Sequence, residues 1–170
     1  MNGVVRIPVH GGLEALIDAD DLALVGGRKW WRSSHHRTCV YAYTMDGRKT
    51  LRMHRLIMGA KKGQNVDHIN GDGLDNRKSN LRFCTIEQNK ANMRPRSWRG
   101  LKGVEASKGG FRGSINVRGV RHRMATRAHW FEAAVDHDRM AVEAHGEFAW
   151  INFPCITPRT PATPKETDHG

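Results

Sequence analysis

Asp67 and His68 stand side by side in "VDHINGDGLDNRKSNLRFCTIEQN", the stretch from Val66 to Asn89. Phosphodiester hydrolysis needs a base for water, a cation near the scissile phosphate and a frame that holds both. An adjacent carboxylate and imidazole can serve the first two needs. On a strand, neighbouring side chains diverge, so one of the pair can face a metal ion and the other a water molecule. Asn89 can complete the protein ligands of that ion. Carboxylate and carboxamide oxygens are hard donors, which favours Mg2+ or Mn2+ over zinc. A neutral His68 titrates near working pH, as a general base should. Asn80 offers two donors and an acceptor, enough to pin the ends of the intervening loop and hold His68 in place.

Local signals supply the frame. "VDHI" reads as a strand, Asn70-Gly71 and Asp72-Gly73 are turn dipeptides, and "LRFC" reads as a second strand. Thr85 followed by Gln88 fits a capping box, opening a helix that runs to about Met93 and stops before Pro95. Upstream, "VVRIPVH" and "LEALI" read as strands around Gly11-Gly12, and "DADDLALV" as a short helix closed by Gly26-Gly27. "CVYAYT" and "KTLRM" read as a hairpin turning at Asp46-Gly47. "RMHRLIMG" reads as a short helix ending at Gly59, and Trp30 and Trp31 are expected to anchor a small core.

The charge points to a polyanion. The 170 residues carry 28 Lys and Arg against 17 Asp and Glu, a net +11, with +7 of it within residues 44–98. Such concentration suits nucleic acid better than it suits general solubility. Cys39, Cys84 and Cys155 are widely spaced without a C-x-x-C pair, so no structural zinc is expected and a reducing, cytoplasmic setting is. No apolar run approaches the roughly 20 residues that span a bilayer, and Met1–Val9 does not read as a signal peptide.

Beyond a basic linker at 95–100, "GVEASKGGFRGSINVRGVRHRMATRA" reads as three short strands and "HWFEAAVDHDRMAVEAH" as one helix ended by Gly146. Ala133, Ala134, His137, Met140, Ala141 and Ala144 share a helical face small enough to lie close on a sheet. Trp130, Trp150 and Phe153 are expected in the core. The tail 155–170, rich in Pro and Thr, is expected to be disordered.

Residues 54–93 resemble the HNH nucleases, whose ββα-metal motif is a hairpin packed on a helix around one divalent ion. His68 matches the first His, the general base; Asn80 matches the central Asn. Asn89 takes the last position in place of the more familiar second His. Asp67 matches the Asp that usually precedes the base. More narrowly, "HRLIM…VDHINGDGLDNRKSNLRFCT…QN" is similar to the zinc-free branch of phage and intron-encoded homing endonucleases, in which an Asp and an Asn hold the metal. The resemblance implies that "HRLI" lies beside the site, with His54 or Arg55 at a phosphate, and that products carry 5′-phosphate and 3′-hydroxyl ends. Asp75, Asn76 and Arg77 are expected to brace the loop, Arg77 also near DNA, and Asn92 is a rival to Asn89. Taken singly, each of these residues is an ordinary turn, cap or core residue; together, at this spacing, they point to catalysis.

Residues 99–154 resemble the ethylene-response-factor-type DNA-binding domain, through "KGV", "GGFRGSI" and "EAAVDHDRMAVEAHGEFAWINFP". In that family the sheet enters the major groove. By position the resemblance nominates Lys102, Arg112, Asn116, Arg121 and Arg123, although Glu105 and Ser107 stand where the family carries arginine and tryptophan.

The expectation is therefore an α+β chain: a strand-rich part at 1–53, an HNH core at 54–94, the linker, a DNA reader at 101–154 and the tail. Its function is metal-dependent cleavage of double-stranded DNA by a monomer or homodimer, with no membrane partner. A DNA-binding regulator with a decayed core and an indiscriminate degradative nuclease are the competing readings.

Overall fold

The computed structural model describes residues 3–33, 39–95 and 100–156. It is a mixed α and β structure of four small sheets, and the chain divides into two compact units, 1–89 and 90–170.

In the first unit, β1 (Val4–Val9) and β2 (Leu13–Asp18) form an antiparallel hairpin. Its alternation is that of a half-covered sheet: Ile7, Val9, Ala15 and Ile17 are buried, and residues between them are more open. A 3-10 turn at Ala19–Asp21 leads into α1 (Leu22–Val25), where the Val25 carbonyl accepts the indole N–H of buried Trp30 at 3.1 Å. Trp30 is thus a core residue with its polar atom satisfied. Trp31 is only half-buried, tilted against Tyr43.

β3 (Trp31–Arg32), β4 (Ala42–Asp46) and β5 (Lys49–Arg52) follow as a second sheet in that order. Asp46 pairs with Lys49, so the hairpin turns at Gly47-Arg48, one residue later than the Asp46-Gly47 signal suggests. Gly47 takes φ 59° there, as the first position of a tight hairpin turn requires. α2 (Met53–Ile57) comes next, and then β6 (Asn65–His68), paired antiparallel with β7 (Leu81–Cys84). One core of Ile7, Val9, Ala15, Ile17, Val25, Trp30, Ala42, Met53, Ile57, Val66 and Leu81 joins β1, β2, α1, β4, α2, β6 and β7. The strand-rich part and the HNH segment are therefore one folding unit, in which burying a side chain such as Ile17 or Met53 contributes roughly 1.5–3 kcal/mol.

α3 (Ile86–Asn92) opens on the expected box: Thr85 N donates to Gln88 Oε1 at 2.7 Å, and Gln88 N to Thr85 Oγ1 at 3.1 Å. The division between units falls inside this helix rather than in the linker. Its last turn is tied to the second unit, where Trp150 N donates to the Ala91 carbonyl at 3.1 Å. Residues 96–99 of the linker and 157–170 of the tail lie outside the described residues.

The second unit holds β8 (Val104–Ser107), β9 (Gly110–Val117) and β10 (Val120–Arg127) in one antiparallel sheet with β9 central, followed by α4 (Trp130–His145). Ala133, Ala134, His137 and Ala141 are buried against it, and Ile115, Ala149 and Ile151 complete the core. Gly113 shows how close the layers come, since a Cβ there would sit 2.7 Å from the Ala133 carbonyl oxygen. Trp130 departs from the core expectation: it is 39 % exposed at the start of α4, beside an exposed Phe131. No helix among the described residues is long and apolar enough to cross a membrane.

Candidate active site

β6 presents Asp67 and His68 at successive positions, opposite Arg82 and Leu81 of β7. The paired strands send the two side chains to opposite faces, and each meets a different partner. Asp67 Oδ2 accepts Arg82 Nε at 3.1 Å and Nη2 at 3.0 Å, with both side chains largely buried. His68 Nε2 lies 3.3 Å from Asn76 Oδ1. The Asn76 amide is oriented by its own Nδ2, which donates to the Leu74 carbonyl at 3.1 Å. Its oxygen can only accept, so Nε2 of the neutral His68 ring carries the proton and the lone pair sits on Nδ1.

The loop between the strands is fastened at both ends. Ile69 N donates to the Asn80 carbonyl at 2.9 Å. The Asn80 side chain accepts Asn70 N at 3.0 Å and donates to Asn70 Oδ1 at 3.0 Å and to the Asp75 carbonyl at 2.8 Å. Further hydrogen bonds join the loop to β2, from Leu16 N to the Leu74 carbonyl at 2.8 Å and from Asn76 N to the Leu16 carbonyl at 2.7 Å. The Lys78 ammonium reaches Asp21 Oδ1 at 2.6 Å. His68 therefore starts from a rigid support.

The surroundings of His68 differ from the expectation of a ring facing solvent. His68 is 3 % exposed, and its ring lies 4.9 Å from that of His54, edge to face, and 5.6 Å from that of Tyr41. The cause is the segment 39–41, which crosses the loop at Gly73. A Cβ at Gly73 would lie 2.4 Å from the Val40 carbonyl oxygen and 2.7 Å from the Tyr41 ring. Burial lowers the pKa of His68, against opposing pulls from Asn76, Asp67, Asp72 and Asp75. His54, itself 4 % exposed, is pushed down to about 2 by burial and then by His68, Arg52 and Arg55. Its Nδ1 has no hydrogen-bond partner among the described residues.

Several of the residues expected to contact DNA also have partners within the fold. His54 is buried, with its ring against those of Tyr41 and His68. Arg55 is bound to the backbone that follows α2: it donates to the carbonyls of Gln64, Ala60 and Lys61, the last at 2.9 Å. Arg77 clamps Asp75 through two 2.7 Å bonds, which hold the Asp75 carboxyl below the usual range. Lys102 donates to the carbonyls of Lys90, Ala91 and Met93, closing the C-terminus of α3. Arg112, Arg121 and Arg123 do converge on one sheet face in the second unit, around Glu105, and Asn116 is exposed beside them.

The donor set suits a hard divalent ion. Asn89 is half-buried on α3 and its carboxamide has no hydrogen-bond partner among the described residues, so its oxygen is available as a ligand. Asp67 already accepts the Arg82 guanidinium through Oδ2, so an ion there would share the carboxylate with Arg82. No group of three or more His, Cys, Asp or Glu able to hold a metal occurs among the described residues. An ion resting on one carboxylate and one carboxamide would take the rest of its shell from water and phosphate, as Mg2+ ordinarily does. Asn92 is fully buried in the second unit.

Sequence reading missed Arg82, Tyr41 and Glu105. Arg82 becomes visible once the β6–β7 register is known, because it pairs directly with Asp67. Tyr41 reaches His68 from another sheet, and nothing local signals it.

The family model described as HNH endonuclease matches residues 52–91. An uncharacterised HNH endonuclease, L560, of Acanthamoeba polyphaga mimivirus is 31 % identical over 148 residues, covering 83 % of this chain and 75 % of that protein. Protein 3.8 of Escherichia phage T7 is 36 % identical over 92 residues, which are 52 % of this chain and 75 % of that protein. No solved structure gives a significant match. With its Asp-His pair on one strand of a pinned hairpin, this chain belongs to the HNH endonucleases and is a DNA endonuclease.

Proposed function

We propose that this endonuclease is of the homing type, cutting double-stranded DNA at a preferred site with a divalent cation, Mg2+ or Mn2+, and leaving 5′-phosphate and 3′-hydroxyl ends. The first unit acts as a ββα-metal core, and Asp67 and Asn89 hold the ion. When bound, the ion supplies Lewis-acid stabilisation of the phosphate and of the leaving 3′ oxygen. His68 takes the proton of the attacking water at Nδ1, while the Asn76 contact at Nε2 fixes the ring and its tautomer. Asn80 keeps the loop, and with it His68, in register.

A cleft lined by Tyr41, Arg52, Arg55 and Lys62 lies along this unit. Its cationic lining suits a DNA backbone. Tyr41 borders this cleft and also packs on His68, so displacement of the Tyr41 ring is the step that admits water to the imidazole. The sheet of the second unit contacts DNA through Arg112, Asn116, Arg121 and Arg123, in the way the ethylene-response-factor-type resemblance implies. One core per chain nicks as a monomer and breaks both strands as a homodimer, in the host cytoplasm if the gene is carried by a phage.

The observation that carries the reading is the Asn89 carboxamide, without a hydrogen-bond partner among the described residues, on the helix that follows the Asp67-His68 hairpin. Incubating supercoiled phage or host DNA with the protein and Mg2+ or Mn2+, then mapping the ends, tests it. Cuts clustered at a few sequences with 5′-phosphates are expected, along with loss of cutting in His68→Ala at nearly unchanged DNA affinity. Scattered cuts would instead indicate a degradative nuclease, and binding without any cleavage a regulator.

A further inference from the structure

The outward face of the second unit's sheet carries one carboxylate surrounded by three guanidiniums. Glu105 on β8 stands directly opposite Arg112 on β9, and Arg123 and Arg121 on β10 stand opposite Ser114 and Asn116. Gly113 and Ile115 of β9 face α4, so Arg112, Ser114 and Asn116, alternating with them, face away. Glu105 Oε1 accepts Arg112 Nε at 2.9 Å and Arg123 Nε at 3.0 Å, and Oε2 accepts Arg121 Nη2 at 2.6 Å. The arginine side chains are 35–50 % exposed, whereas Glu105 is 25 % exposed beneath them.

Fold stability gives little reason for this arrangement, because ion pairs this open to water contribute little. Recognition gives a better one. Arg112 and Arg123 are both held by Nε, so their terminal amino groups make no hydrogen bond among the described residues. Those groups form the donor pair that reads guanine O6 and N7. Arg121 is held through a terminal nitrogen, which also lies 3.3 Å from Ser114 Oγ, and so it is less suited to a forked contact. An arginine fixed before binding also loses less side-chain freedom when its ligand arrives. Phosphates are served as well by a mobile lysine, and need no aligned fork. Partial burial pushes the Glu105 carboxyl up, but the arginines reverse this and hold it below the usual carboxylate range. The anion therefore persists at neutral pH, and the patch keeps a net positive charge.

We propose that Glu105 is a positioning residue that aligns Arg112 and Arg123 for bidentate contact with base edges in duplex DNA, and so sets how sharply this unit discriminates between sequences. The proposal rests on the reading of this sheet as a DNA-contacting surface.

The test uses the full chain in EDTA, which suppresses cleavage, and a pool of duplexes with a randomised segment. Wild type, Glu105→Gln, Arg112→Lys and Arg123→Lys are each put through selection, with affinity for unselected pool measured in parallel across salt. Glu105→Gln is expected to bind the unselected pool at least as tightly as wild type. Its preference at a few base pairs should fall about tenfold, as loss of a bidentate contact does. Those base pairs should be the ones whose preference the two lysine variants lose. Should Glu105→Gln fail to fold, judged by its thermal melt, the lysine variants carry the test: each must lose preference at discrete base pairs while keeping affinity for the pool. Glu105→Gln selecting the same sequences as sharply as wild type would overturn the role of Glu105 alone. Wild type retaining no duplex, or enriching no sequence, would overturn the DNA-reading surface with it.

Discussion

Each unit buries a histidine next to an aspartate in sequence, Asp67-His68 in the first and His137-Asp138 in the second, and the two pairs are wired differently. On α4, His137 Nδ1 lies 3.1 Å from Asp138 Oδ1, so the pair is bonded to itself. Asp138 also accepts Asn152 N at 3.0 Å, Asn152 Nδ2 at 2.9 Å and Phe153 N at 2.8 Å. Asn152 in turn holds both backbone atoms of Lys102, at 2.8 Å and 3.0 Å. That network fastens the chain after α4 to the entrance of β8. On β6 the two side chains part, one toward Arg82 and the other into a ring cluster; among the described residues, His54 Nδ1 there has no hydrogen-bond partner, and neither has the Asn89 carboxamide on α3. A buried polar group without a partner costs stability. One such atom beside the first pair, against a saturated network around the second, fits the proposal of a ligand site in one unit and a structural latch in the other.

The largest effects should fall on opposite properties in the two units. Replacing Asn89 by Ala removes a proposed metal ligand but no hydrogen bond, and Ala is the better helix former. Cleavage of plasmid should drop by at least about a hundredfold, the lower end of the loss typical of a supporting group around a metal or base. The thermal midpoint should stay level or rise slightly. Asp138→Ala should do the reverse. It removes the acceptor of four donors, His137 Nδ1, Asn152 N, Asn152 Nδ2 and Phe153 N, at a cost on the order of 3 kcal/mol, read as a lower urea midpoint for the second unit. The protein that remains folded should still cleave supercoiled DNA. If Asn89→Ala proves as destabilising as Asp138→Ala, the contrast between site and latch is lost.

The sequence was most legible where structure is local. Thr85 and Gln88 close the capping box because their partners are three residues away, and the hairpin strands follow from short apolar runs bounded by Gly and Asn. The Asp67-His68, Asn80 and Asn89 set is proposed from its spacing, a pattern that a sequence can carry. What escaped was the use to which each cation is put. Arg55, Arg77 and Lys102 count as positive charge in a composition, yet each also donates within the fold, to backbone carbonyls or to Asp75, and only folded geometry decides that. The lid over His68 was equally out of reach. It depends on Gly73 admitting the backbone of Val40, a contact between distant segments. A cation therefore signals nucleic acid reliably only after its hydrogen bonds have been assigned.

The finest test of the comparison is His54→Phe. The ring of Phe fills nearly the same space against Tyr41 and His68, and it removes the buried Nδ1 that lacks a partner. A stranded polar atom of this kind costs about 1 kcal/mol or more. If His54 serves only the fold, the variant should gain stability of about that size and cleave normally. If its nitrogen is held ready for water or substrate beside the base, the same gain should come with slower cleavage, because the group that costs stability is then one the reaction uses. Urea unfolding and single-turnover cleavage of the same preparation give both numbers. A variant that is less stable than wild type would mean that Nδ1 is satisfied in solution, and the distinction drawn between the two buried pairs would then rest on Asn89 alone.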